Sequence, residues 1–81
     1  MNNRIALIGI IVENPDSAPA VNDILHEYAA YIIGRMGVPH RAENLCVISV
    51  VLDAPQNIIS SVSGKLGMIP GLSVKTIQPK K

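Results

Sequence analysis

At 81 residues and a formal net charge of +1, the chain is expected to form one domain spanning residues 1–81, with no bulk field to attract nucleic acid or an anionic membrane. A domain this small buries only ~60% of its unfolded surface, and its one cysteine, Cys46, excludes an internal disulfide, while no CxxC or HxxxH spacing marks structural zinc. Self-association is the favoured remaining support, and with two tyrosines as the only aromatics the core must be built from Ile, Val and Leu.

No apolar run approaches the ~20 residues of a membrane-spanning helix. The run at residues 5–12 is followed by acidic and turn residues rather than a small-residue cleavage site, which argues against a signal segment. A cytoplasmic protein is expected.

The first element is a strand from about Asn3 to Glu13, carrying RIALIGIIV at 4–12. It is apolar on both faces, so it belongs in the middle of a sheet with something packed on each side. Asn14-Pro15-Asp16 stops it. Asp16 or Ser17 can cap a helix in which Val21, Ile24, Leu25 and Tyr28 form the buried stripe, and Asn22, Asp23, His26 and Glu27 fall on the other side. That helix should end near Ala29 or Ala30.

Tyr31–Val38, YIIGRMGV, reads as a second strand whose glycines and Arg35 suit a sheet edge. The polar stretch Pro39–Asn44 is a hairpin connection. Leu45–Leu52, LCVISVVL, is a third strand and the second run that is apolar on both sides. Asp53-Ala54-Pro55-Gln56 then offers a capping box for a second helix with Ile58, Ile59, Val62 and Leu66 inward. Gly67 is a candidate left-handed terminator, Pro70-Gly71 a turn, and Leu72–Gln78 a short fourth strand ended by Pro79.

The order strand, helix, strand, strand, helix, strand favours an α+β fold of ferredoxin-like βαββαβ type, a four-stranded antiparallel sheet with two helices on one face. That topology places the first and third strands centrally, and these are the two most apolar ones. Ile8, Ile10, Val12, Ile48, Val50 and Leu52 are assigned beneath the helices, with Cys46 buried among them by parity. The opposite face then carries Ile5, Leu7, Gly9, Ile11, Leu45, Val47, Ser49 and Val51. Such a patch is too large for a soluble monomer to leave wet, so it is expected to pack on a second copy, with Gly9 and Ser49 permitting close approach. The reverse assignment of faces leaves the same need.

Among polar residues, Arg35 interrupts an apolar strand. It is either an exposed edge residue or a fixed fork of donors for an anion or an intersubunit pair. His26 reads as a surface histidine or as a ligand contact across a subunit boundary, and His40 as a solvated loop residue next to Arg41. With Cys46 they lack any metal-ligand spacing, so no metal and no cofactor are expected. Ser63-Gly64-Lys65-Leu66-Gly67 lacks the GxxxxGK[ST] pattern and falls at a helix C-terminus, where the dipole repels anions. No nucleophile with a neighbouring base is evident, so no enzyme is expected.

Other functions of this fold are disfavoured by what is missing. The central strands carry no aromatics for stacking RNA bases. The loop after the first strand, ENPDSA, has neither the paired cysteines of copper-chaperone domains nor the arginine of acylphosphatases.

The segments IGIIVEN (8–14), VNDILHEYAAYIIGRMGVPHR (21–41), ISVVLDAP (48–55) and ISSVSGKLGMIPGLSVK (59–75) cover nearly the whole chain. In them the chain resembles the short ACT-like proteins named as iron-only hydrogenase system regulators. Those proteins are related in fold to the C-terminal sensing domain of the nickel-responsive repressor.

The resemblance implies an oligomeric, ligand-responsive regulatory module without enzyme activity, linked to transcriptional control of a hydrogenase system. It places candidate pockets at subunit boundaries near the first helix and its loops, with His26, Arg35 and Lys65 as the candidate ligand-binding residues. The repressor's set of histidines and cysteine is not reproduced here. No direct nucleic-acid binding is expected from this chain alone. The expected partners are other copies of the chain, as a dimer or tetramer, and a small-molecule effector. The alternative is an interaction protein that docks onto another protein without a small ligand.

Overall fold

A computed structural model describes residues 2–40 and 42–80. Its elements are β1 (Asn3–Val12), α1 (Ala18–Glu27), β2 (Ile32–His40), β3 (Leu45–Pro55), α2 (Gln56–Gly67) and β4 (Leu72–Ile77). Single 3₁₀ turns at Pro15–Ser17 and Ala29–Tyr31 flank α1. The four strands form one sheet in the order β2-β3-β1-β4, antiparallel throughout. The α+β ferredoxin-like βαββαβ arrangement expected from the sequence is the observed one, with the two most apolar strands in the centre.

Alternation along the central strands decides which side chains reach the core. Ala6, Ile8, Ile10 and Val12 of β1 and Ile48, Val50, Leu52 and Ala54 of β3 are buried. They meet Val21 and Leu25 of α1 and Ile59, Val62 and Leu66 of α2 in one cluster. Residues four apart on a helix lie on one face, which is why Val21 with Leu25, and Val62 with Leu66, point inward together. Cys46 has the core-facing parity but lies at the start of β3 and is only half-buried.

Several boundaries differ from the sequence expectation, each for a local reason. β3 runs on to Pro55 because Asn3, Arg4 and Ile5 extend the ladder to pair with Pro55, Ala54 and Asp53. Asp53 is therefore a strand residue and caps nothing, and the Gln56 side chain reaches Ser60 and Gln78 instead of forming a capping box. Ahead of α1, Asn14 rather than Asp16 or Ser17 supplies the capping oxygen, accepting from the Asp16 amide. Gly67 remains helical, followed by Met68 in a right-handed conformation.

The left-handed glycine is Gly71, with φ of 78°. Its carbonyl accepts from the amides of Glu13 and Asn14, which closes the loop after β1 onto the loop after α2. Ser17 Oγ donates to the Pro70 carbonyl in the same contact.

β2 extends to His40, so Pro39 lies in a strand at the sheet edge, where its missing N–H disrupts no interior ladder. Asn44, with φ of 57°, closes the hairpin, and the Glu43 amide donates to His40 Nδ1. The expected placement of Arg41 in this hairpin loop lies outside the described residues.

Candidate functional site

The site begins with an irregularity in β2. Ile32 pairs with Leu52 and Gly34 with Val51, so Ile33 is an extra residue without a partner. A bulge of this kind shifts the alternation by one. In a regular strand, residues 32 and 35 would point to opposite faces. Here Ile32 stands opposite Leu52 and Arg35 opposite Val50, both partners being buried on the helix side. The bulge therefore brings an apolar and a cationic side chain of the edge strand to the same side, facing α1.

The first helix presents Asn22, Leu25 and His26 toward this strand, and Ala29 of the following turn completes the wall. Together they enclose an open cleft of about 500 Å³, lined also by Asp23 as well as by Ile32 and Arg35. Arg35 Nη2 donates to Asn22 Oδ1 at 2.8 Å. The only ion pair among the described residues joins Lys65 to Glu27. Arg35 thus enters the cleft with a neutral partner and with most of its five donors uncommitted to protein carboxylates.

Of the three candidate ligand residues, His26 and Arg35 line this cleft. Lys65 does not. Its ammonium lies 3.0 Å from Glu27 Oε2 and 5.0 Å from the centre of the Tyr28 ring, bridging α2 to α1. The Tyr28 side chain first, and the Glu27 carboxylate second, hold the Lys65 pKa above its ordinary value. Asn22 and Ile32 were absent from the candidate set. Gly34 within a strand was the available signal, since an isolated glycine there often marks a bulge.

His40 and Cys46 line a second, smaller hollow of about 190 Å³ with Val12, Pro15, Ala18 and Leu45. Among the described residues no group of three or more His, Cys, Asp or Glu side chains is placed to hold a metal ion.

The side of the sheet away from the helices carries the other parity. Cross-strand rows read Val38–Val47–Ile11–Ser73, then Met36–Ser49–Gly9–Lys75, then Gly34–Val51–Leu7–Ile77. Ile5, Leu7, Ile11 and Val47 are each 38–44% exposed in the single chain, and Met36 and Ile77 more than 60%. A Cβ built on Gly9 would meet nothing within 4 Å, so the centre of this face is a shallow dip. β2 joins the two features: Arg35 faces the cleft, and Met36, the next residue, faces the open side.

Comparison with known proteins gives the family and the fold. The family model TM1266-like, "Iron-only hydrogenase system regulator, putative", matches residues 4–76. No curated protein matches the chain significantly. Among solved structures, the uncharacterized protein TM1266 from Thermotoga maritima is 36% identical, with 98% of this chain and all of that chain covered and a TM-score of 0.92.

Two more distant structures share the fold. The C-terminal domain of the MgtC protein from Mycobacterium tuberculosis is 13% identical at a TM-score of 0.69, covering 98% of this chain and 90% of that one. A nitrogen regulatory PII-like protein from Thiomonas intermedia K12, bound to ADP, AMP and bicarbonate, is 18% identical at 0.51, with 93% of each chain covered.

Proposed function

The chain belongs to the TM1266-like family, whose name is that of an iron-only hydrogenase system regulator, and from that membership we propose that it is a non-catalytic, ligand-sensing module that works as a homo-oligomer. Copies pair through the open face of the sheet, and a small effector enters the cleft between α1 and β2. No helix of the described residues is long and apolar enough to cross a membrane, and we place its action in the cytoplasm.

The area supports pairing. Residues 5–11 at ~3.4 Å per residue, across four strands ~4.8 Å apart, give a flat projection on the order of 500 Å² per copy. Two such faces together come to about 900 Å², near the ~1,000 Å² lower bound of a specific interface. Small residues at Gly9 and Ser49, flanked by the larger Met36 and Leu7, allow the side chains of one copy to fill the dip of another.

The observation that carries the regulatory reading is the placement of Arg35 and Met36 as neighbours on opposite sides of one edge strand. A ligand held by Arg35 acts on the same backbone that presents Met36 to the partner. A difference in ligand affinity between paired and unpaired states is all that coupling needs, and it works in both directions.

Replacing the chromosomal copy by Arg35→Ala or by Val47→Glu tests the reading. Each variant should alter hydrogenase-system transcript levels as deletion of the whole gene does. Transcripts indifferent to the deletion as well as to both variants would contradict it. The second reading is an interaction protein that docks its open face onto a different protein. The apolar character of that face supports it, and it predicts sensitivity to Val47→Glu alone.

A further inference from the structure

We propose that the α1–β2 cleft takes a small organic monocarboxylate with a short apolar body, its carboxylate on the Arg35 guanidinium and its hydrocarbon on Ala29 and Ile32. The inference rests on the reading of that cleft as the effector site and adds the chemical class of the effector.

Three observations converge. Arg35 is fixed on one side by Asn22 Oδ1 at 2.8 Å, so a donor fork is held in place without being neutralised. A planar carboxylate matches such a fork with two parallel bonds. Part of the remaining wall is apolar: Ile32 is half-buried and Ala29 adds a methyl group, with the buried Leu25 behind them. A ligand that offers only charge would leave this surface wet.

Asp23 also lines the cleft. With one guanidinium and one carboxylate around it, the lining carries no net charge to offset the larger desolvation cost of a dianion such as hydrogen phosphate, which favours a monoanion over a dianion on the guanidinium. His26 stands on the same rim and offers a ring N–H to the second carboxylate oxygen.

Titration of the full-length, ¹⁵N-labelled protein by NMR tests the class with butyrate, hexanoate, inorganic phosphate and butylamine as probes. Butyrate should shift the resonances of Asn22, His26 and Arg35 with a dissociation constant on the order of 1 mM. Each methylene that is buried should tighten binding about three- to four-fold, so hexanoate should bind roughly ten-fold tighter than butyrate. Arg35→Gln should weaken butyrate at least ten-fold, and Arg35→Lys should recover only part of the loss because the fork is gone.

Equal responses to phosphate and butyrate, no gain with chain length, or unchanged binding in Arg35→Gln would overturn the carboxylate assignment. A response to butylamine without one to butyrate would also overturn it, while leaving the cleft as the effector site. Silence of the cleft resonances toward every probe would remove both the assignment and the effector-site reading.

Discussion

Arg35 of β2 and Asn22 of α1 are joined side chain to side chain, Nη2 to Oδ1, across 2.8 Å. The acceptor is a neutral amide, so the guanidinium is oriented and still attractive to an anion. Substituting the amide by a carboxylate should therefore separate structure from binding. Asn22→Asp is expected to change stability by at most ~1 kcal/mol, as exposed ion pairs do, yet to set a carboxylate against Arg35 that competes with an anionic ligand. Butyrate shifts at the cleft should then shrink markedly in NMR titration while the unfolding midpoint stays nearly constant.

Gly71 allows a sharper test of the loop contact at the end of the sheet. Its φ of 78° disfavours any side chain, and a Cβ there would sit 2.6 Å from the Cβ of Asn14. Gly71→Ala should cost about 2–3 kcal/mol, and thermal unfolding should fall by on the order of 10–20 °C. Gly64, inside α2, should behave oppositely, because a Cβ added there would meet nothing within 4 Å. Gly64→Ala is expected to stabilise by about 0.5–1 kcal/mol through helix propensity.

Ser17 carries the one side-chain hydrogen bond from the start of α1 to the loop before β4, donating to the Pro70 carbonyl. The residue is buried, so removing its hydroxyl leaves that carbonyl short of a partner. Ser17→Ala should cost about 1–2 kcal/mol, measured as a lower urea midpoint with an unchanged slope.

Much of this was legible in the residues. Alternation in β1 and β3 identified both the buried set around Ile10 and Val50 and the exposed set around Leu7 and Val47. The most apolar strands proved to be the central ones. What could not be read was set by pairing between distant segments. Asp53 looks like a helix cap, and it is a strand residue only because Ile5 lies opposite it. Gly67 looks like the left-handed terminator of α2, yet the positive φ falls at Gly71 of the Pro70-Gly71 turn, where Asn14 comes close. Arg35 was recognisable as an anomaly. That it shares a face with Ile32, beside Asn22, depends on the unpaired Ile33, for which the neighbouring Gly34 was the only local signal.

Lys65 gives a pH-dependent prediction. Tyr28 and then Glu27 raise its pKa above 10.5. A cationic group with a raised folded-state value contributes stability that is complete below pH 10.5 and is lost as pH rises through the folded value. Lys65→Met removes that contribution. The stability gap between wild type and variant, followed by urea unfolding, should therefore be constant from neutral pH to about pH 10 and should narrow above it. A gap that widens toward alkaline pH would show that the ammonium is not stabilised by its neighbours.

The pairing of open sheet faces is tested most directly by the mass of the protein in solution. Light scattering after size exclusion, at micromolar concentration, should give the wild type at a multiple of the 8.6 kDa chain. Val47→Glu, which places a carboxylate beside Ile11 on the exposed face, should run as a single chain with unchanged circular dichroism. A wild type that is already a single chain at that concentration, or a Val47→Glu variant of undiminished mass, would contradict the account.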